Sequence, residues 1–301
     1  MDRKWKVRIR LRSTRPKTGS RFSSGELGVR RKMFLAAIIS ALLIVALIHL
    51  LLLFFRENSV EKEIIDFEER AVAFIDILGF SALVNKAAQC NQTKQQLQSL
   101  VDLLSSAMSD LNSTVNSNVA KHLIPKHNYI SDCIILSAPL NDNKNKSYCG
   151  LSIVVMRVMQ ITQMLLNEGY LVRGGISVGK VWHTDSNIVG TAYQEAYQIE
   201  TRTDVPRVEL SQGAKELWNR TEVSATKMCL DYKSHFMVNV LNDYYIQDNS
   251  HGAAERVFEK YFRVIKENLE KDHPESVEYK WWWFKQYLES EITRNKFIIH
   301  T

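Results

Sequence analysis

Residues 33–55 read MFLAAIISALLIVALIHLLLLFF, a run with no formal charge and only Ser40 and His49 polar. No polar stripe interrupts it, so a helix built from it has no face to turn to water. At about 1.5 Å per residue that helix is about 35 Å long, enough to cross a hydrocarbon core of about 30 Å. The run exceeds the roughly 7–15 apolar residues of a signal peptide, and no A-x-A-like site follows it. One transmembrane helix is therefore expected. The chain reads as a single-pass protein of the cell membrane, with the lipid bilayer as a partner.

The charge lies mostly on one side of that helix. The whole chain carries +6, with a pI of about 9.0. Residues 1–32 hold 12 Lys/Arg against 2 Asp/Glu, whereas residues 33–301 hold 27 against 31. The high pI belongs to this basic N-terminal arm, and no nucleic-acid partner is expected of the body. Positive charge before the span argues for a cytoplasmic N-terminus, with the C-terminal body outside. The arm is equally accounted for by anionic lipid headgroups. Cys90, Cys133, Cys149 and Cys229 show no C-x-x-C spacing, so no zinc site is expected. In the charged connector, residues 56–70, Val60, Ile64 and Phe67 stand at i, i+4 and i+7. That stripe suits either a solvated stalk or a short dimerising helix.

The whole chain of 301 residues has the length of about two domains. Residues 71–78, AVAFIDIL, suit a strand buried on both faces, ended by Gly79. Residues 93–112 place Leu97, Leu100, Val101, Leu104, Met108 and Leu111 at helical spacing. Apolar runs at 122–130 and 133–138 suggest two strands meeting at Ser131 and Asp132. A helix with Leu151, Val154, Val155, Val158, Ile161 and Leu165 on one side follows, with Gly169 where a cap would sit. Residues 171–181 close the pattern as a strand. Strand, helix, strand, strand, helix, strand is the ferredoxin-like split βαβ order of an α+β fold. Beyond it, residues 211–301 form a C-terminal extension expected to be mostly helical, with helices at 251–271 and 277–294. Trp281, Trp282, Trp283 and Phe284 point to every side of the second helix, suiting core packing or a membrane-interface belt. His183, His235, His251 and His273 show no ligand spacing.

Two carboxylates carry the chemistry. Asp76 stands in mid-strand among apolar neighbours, and an ionised carboxylate there is costly unless paired or bound to a cation. Asp132 stands where the second strand gives way to the third. A split βαβ fold lays these strands side by side, so both side chains can leave one edge together. Such a pair suits Mg²⁺ or Mn²⁺ ions, which activate an attacking oxygen and hold triphosphate charge. Gly79, Phe80 and Ser81 follow, and a glycine at a strand-to-helix turn lets helix N–H groups approach a phosphate. Arg173 suits either two phosphate oxygens or a structural carboxylate.

The segments FIDILGFS (74–81), SD (131–132) and RGGISVG (173–179) resemble the three core motifs of class III nucleotidyl cyclases, with a similar spacing between the two aspartates. The resemblance covers about residues 71–210. It implies that Asp76 and Asp132 are catalytic and hold two Mn²⁺ or Mg²⁺ ions, with Ile77 lending its backbone carbonyl. It implies Arg173 as a further catalytic position, and Phe74, Gly79, Phe80 and Tyr129 as nucleotide-binding positions. It also implies a head-to-tail homodimer. There the 3′-hydroxyl of a nucleoside triphosphate attacks its own α-phosphorus and expels pyrophosphate.

The departures sharpen the expectation. Purine cyclases carry a Lys where this chain has Asn128, and an Asn and Arg where it has Gln194 and Gln198. Tyr129-Ile130-Ser131-Asp132 together with Arg173-Gly174-Gly175 resembles instead the pyrimidine cyclases of bacterial Pycsar anti-phage defence. That implies cyclic UMP or cyclic CMP as product and a separate cyclic-nucleotide-sensing effector protein as partner. Tyr129 would then face the base, or else pack the sheet edge. An adenylate or guanylate cyclase, and a catalytically silent nucleotide-binding module, are the alternatives. A cytosolic substrate implies a cytoplasmic catalytic domain, against the pull of the basic arm.

Overall fold

The computed structural model describes residues 33, 43–49, 64–113, 115, 118–242 and 253–299. Contacts divide the chain into two compact units, residues 1–64 and 65–301. Strand β1 (Glu68–Ile77) is the axis of the second unit. It pairs antiparallel with β3 (Cys133–Pro139) on one side and β4 (Val172–His183) on the other. Strand β2 (Lys126–Ile130) forms a hairpin with β3 and leaves its far edge unpaired among the described residues. The order β2-β3-β1-β4, with α1 (Phe80–Ala87), α2 (Asn91–Ser113) and α3 (Gly150–Asn167) between the strands, is the expected split βαβ arrangement.

The sheet continues. β5 (Ile188–Gly190) pairs with the end of β4, and α4 (Thr191–Thr201) crosses over to β6 (Val208–Leu210), parallel to β4. After α5 (Gln212–Asn219), the hairpin of β7 (Cys229–Tyr232) and β8 (His235–Val238) docks through Glu209 opposite Met237. Helices α6 (Ala253–Leu269) and α7 (Glu275–Asn295) follow. The region past residue 210 thus adds two strands to the sheet as well as helices.

Side-chain alternation on β1 builds two cores. Ala71, Ala73, Ile75 and Ile77 join Ile134, Leu136 and the apolar side of α3 in the larger one, along with Phe258, Trp281, Trp283 and Phe284. Val72 and Phe74 face the other way, against Ile135, Val181 and the small residues Ala192 and Ala196 of α4. Trp282 alone of its tryptophan run is largely exposed, with the Lys285 ammonium 4.7 Å from its ring centroid.

Three expectations shift. The connector stripe does not form where it is described: Ile64 and Phe67 are exposed coil, and Glu68–Arg70 already lie in β1. Ladder bonds to both neighbours outcompete a helix of few residues there. The second strand begins only at Lys126, because Lys121–Leu123 forms a 3₁₀ turn. Of the apolar run, Met33 and residues 43–49 are described, helical and exposed; the rest of it and the basic arm lie outside the described residues. Among the described residues one helix, Gly150–Asn167, is long and apolar enough to cross a membrane. It is mostly buried as α3, the core helix of the sheet.

Candidate active site

Register and alternation put the candidate residues in one row. Asp76 sits opposite Cys133 on β3 and opposite Arg173 on β4. All three therefore lie on the sheet face that α4 covers. Asp132 reaches the row from the two-residue loop of the β2–β3 hairpin. Ser131 takes a φ of 61° there, the positive value a short hairpin loop demands. The Ile77 N–H donates to the Asp132 carbonyl at 3.1 Å, tying that loop to the end of β1. The result is a set of ligand atoms from Asp76, Asp132 and Cys133 all within 4.8 Å of one another.

One guanidinium serves this cluster. Arg173 Nε donates to Asp76 Oδ2 at 3.0 Å, and a second guanidinium nitrogen donates to the Thr203 carbonyl at 3.1 Å. Of the two roles left open for Arg173, the structure shows the carboxylate-holding one. Glu200, near the end of α4, brings Oε1 to 2.7 Å from the same Nε. That contact lacks hydrogen-bond geometry, and Oε1 is buried without a hydrogen bond. The separation makes it an ion pair even so. The one Nε–H points at Asp76.

The electrostatics follow from burial and crowding. Burial pushes the Asp76 carboxyl above the usual range; Arg173 opposes the shift and the Asp132 charge adds to it. Burial likewise raises Glu200, against Arg173 and with Asp76. The Cys133 thiol is pushed up to about 12, by burial first and then by Asp132, Asp76 and Glu200. Ionised Asp76, Asp132 and Glu200 against Arg173 leave a net −2, the charge one divalent cation cancels. Two carboxylate donors within reach of each other suit a hard cation such as Mg²⁺ or Mn²⁺, so the residues fit the metal the motifs imply. A second ion would need charge from the triphosphate itself.

The other expected residues divide. Ile77 is buried at the end of β1, next to Asp76. Gly79 adopts φ +84° at the start of α1, with open space where a Cβ would project. The first N–H groups of α1 have no carbonyl one turn back to bond, and they stand three residues from Asp76. Phe80 buries its ring in the larger core, leaving only its backbone toward that opening. Phe74 is buried between Tyr193 and Tyr197, with ring centroids 6.1 Å and 5.2 Å away. Tyr129 pairs with Ile134 and packs on the larger core, on the sheet face opposite Asp76. It lines a hollow of about 390 Å³ with Leu104, His127 and Asp185. The structure does not bring Tyr129 to Asp76 within this chain.

Sequence reasoning missed Glu200 and the role of His183. Glu200 was legible as a carboxylate beside the buried Ala192, Ala196 and Ile199 stripe of α4. His183, unassigned by ligand spacing, sits in a buried relay. Arg70 Nε donates to Ser137 Oγ at 2.9 Å, and Ser137 Oγ lies 2.7 Å from His183 Nδ1. His183 Nε2 meets Asn128 Oδ1, and Asn128 donates to the Asp185 carbonyl at 2.9 Å. The chain of donors assigns a neutral His183 protonated at Nε2. Burial, with Arg70, Lys126 and His127 nearby, pushes its pKa down to about 3. Asn128 is committed to this relay.

No family model matches the chain, and no curated protein matches it. Solved structures do. The adenylyl cyclase CyaB from P. aeruginosa aligns with a TM-score of 0.40 at 15% identity, over 58% of this chain and 94% of that one. The catalytic core of a rhodopsin-guanylyl cyclase with converted specificity, in complex with ATPαS, aligns with a TM-score of 0.39 at 12% identity. That match covers 57% of this chain and 92% of the other. A class III adenylyl cyclase-like ATP-binding protein from Pseudomonas aeruginosa gives 0.39 at 15% identity, over 64% of this chain and 40% of that one.

Proposed function

We propose that this chain is a metal-dependent nucleotide cyclase. In this reading it converts UTP or CTP to the 3′,5′-cyclic monophosphate and pyrophosphate, working as a homodimer anchored by one membrane helix. The observation that carries it is the convergence of Asp76 and Asp132, fifty-six positions apart in sequence, into one donor set beside the glycine turn of α1.

In this reading the labour divides between the two carboxylates, the start of α1 and Tyr129. Asp76 and Asp132 would hold divalent cations, which supply charge neutralisation for the triphosphate and lower the pKa of the 3′-hydroxyl. The N-terminal N–H groups of α1 would donate to phosphate oxygens, and Gly79 keeps the approach open. Tyr129, on the opposite face, contacts a base only if that base is held by a second copy. A head-to-tail dimer supplies that arrangement. With Asn128 engaged by His183, no lysine stands ready for a purine at that position. These features support pyrimidine selection, and with it the second-messenger role in anti-phage defence and the separate effector protein. The exposed apolar helix at residues 43–49 supports membrane anchoring; a cytoplasmic catalytic domain follows from the substrate.

Incubating the purified protein with all four nucleoside triphosphates and Mn²⁺, and identifying products by mass spectrometry, tests this. Cyclic UMP or cyclic CMP is expected, and Asp76→Ala or Asp132→Ala abolishes it. Cyclic AMP or GMP would replace the pyrimidine reading with the purine one. A second reading, a nucleotide-binding module without turnover, is favoured by Gln194 and Gln198 and by the Arg173–Asp76 bond. It predicts no cyclic product from any triphosphate.

A further inference from the structure

We infer that Glu200 is the positioning residue that frees Asp76 for a metal, by offering Arg173 a second carboxylate to retire to. The inference rests on the proposed metal site. Its basis is the division of one N–H between two acids. Arg173 Nε lies 3.0 Å from Asp76 Oδ2 and 2.7 Å from Glu200 Oε1, yet only the Asp76 contact has hydrogen-bond geometry. Glu200 is 4% exposed, and its Oε1 has no hydrogen bond. An acceptor so placed is already at bonding distance from a donor aimed elsewhere.

Asp76 and Asp132 would hold a divalent cation whose charge would repel the Arg173 guanidinium and replace it as the counter-charge to Asp76. Arg173 then needs only a small rotation to turn its Nε–H onto Glu200. Its other anchor, the Thr203 carbonyl, lies just past the same helix and holds the guanidinium in place during the exchange. Without Glu200 the guanidinium has one carboxylate partner only, Asp76, and competes with the metal for it. The pair Arg173–Glu200 thus acts through Asp76 and need not touch substrate.

Mn²⁺ titration of the full-length protein, read by the loss of the free Mn²⁺ EPR signal, tests this without any turnover. Glu200→Gln is expected to weaken Mn²⁺ binding by about tenfold, the scale typical of groups that orient metal ligands. The double variant Arg173→Gln/Glu200→Gln, in which nothing pins Asp76, is expected to recover to within a few-fold of the parent. Unchanged affinity in Glu200→Gln, or a double variant as weak as the single, overturns the inference. If Glu200→Gln does not fold, a crystal structure of the parent with Mn²⁺ decides instead. Arg173 on Glu200 and off Asp76 supports the exchange, whereas Arg173 still on Asp76 overturns it. A parent protein that binds no Mn²⁺ sinks the metal site itself, a different failure from a bound metal indifferent to Glu200.

Discussion

At the scale of single residues, the sheet face under α4 holds two polar systems built on opposite charge logic. Around Asp76, acids crowd one arginine and leave the site short of positive charge. Around His183, burial first and then basic neighbours keep the imidazole neutral. The His183 pKa falls from its ordinary value near 6.5 to about 3 on folding. Between those values the unfolded chain binds the extra proton and the folded one does not. Stability from this group is therefore complete above about pH 6.5 and is lost as the pH falls toward 3. Replacing His183 by Asn, which cannot take up that proton, should flatten the fall of unfolding free energy across this window by up to about one proton. Urea unfolding at stepped pH reads this directly; an unchanged slope would show that the relay is not what titrates. At Asp76 the expected result of Asp76→Asn is loss of Mn²⁺ affinity with retained fold, by EPR and thermal melting together. One oxygen of Asn can still accept from Arg173.

At the scale of elements, small residues decide how closely α4 approaches the sheet. A Cβ on Gly175 would lie 2.4 Å from the Ala196 carbonyl and 2.6 Å from Ile199 Cβ, so the helix rests on bare backbone. Gly174, facing the other way, has the Phe74 carbonyl 2.4 Å from its Cβ position. Gly175→Ala forces α4 outward, and overpacking of this kind costs about 1–3 kcal/mol. Because Glu200 and the Thr203 carbonyl travel with the end of α4, the same change should loosen their hold on Arg173. A lowered melting temperature accompanied by weakened Mn²⁺ binding is expected; a destabilised protein with parental metal affinity would separate packing from site. At the other end of the chain, Tyr287 donates to Asn239 Oδ1 at 2.5 Å, and Asn239 donates to the buried Glu291 at 2.9 Å. That polar knot fixes α7 to the strand end at β8. Tyr287→Phe should cost about 0.5–1.5 kcal/mol in denaturant unfolding, because the buried Asn239 Oδ1 loses its shorter bond and keeps only the Leu241 N–H at 3.3 Å.

At the scale of the whole molecule, the two sheet faces assign different tasks. Asp76 lies on one face and Tyr129 on the other, so in the proposed cyclase a site that uses both takes two copies. Mixing Asp76→Ala with Tyr129→Ala, each inactive on the parental substrate alone, should restore roughly a quarter of parental turnover, since half the dimers formed carry one intact site of two. No recovery on mixing would mean that Tyr129 packs the sheet edge and nothing more. In the proposed reading, deleting residues 33–55 moves the protein from the membrane fraction to the soluble one and leaves the formation of cyclic product intact, which fractionation and product analysis check.

The chain order of strands and helices, the central strand and the acids at its end were legible because they depend on local pattern. Apolar runs of period two and period 3.6 name the elements, and a lone acid inside an apolar strand announces its own cost. The identity of the partners was not legible in that way. Arg173 suited a phosphate as well as a carboxylate until the register set it opposite Asp76, and Glu200 reached it from a helix more than twenty residues further along. Nor did the pattern near Tyr129 say which face it takes, since a shift of one residue in pairing reverses every side chain of a strand. Sequence alone determined what each segment is, because that follows from neighbours along the chain. Only the tertiary structure decided which charges meet, because hydrogen bonds and ion pairs act over a few ångströms, and those ångströms are set by the register of distant strands.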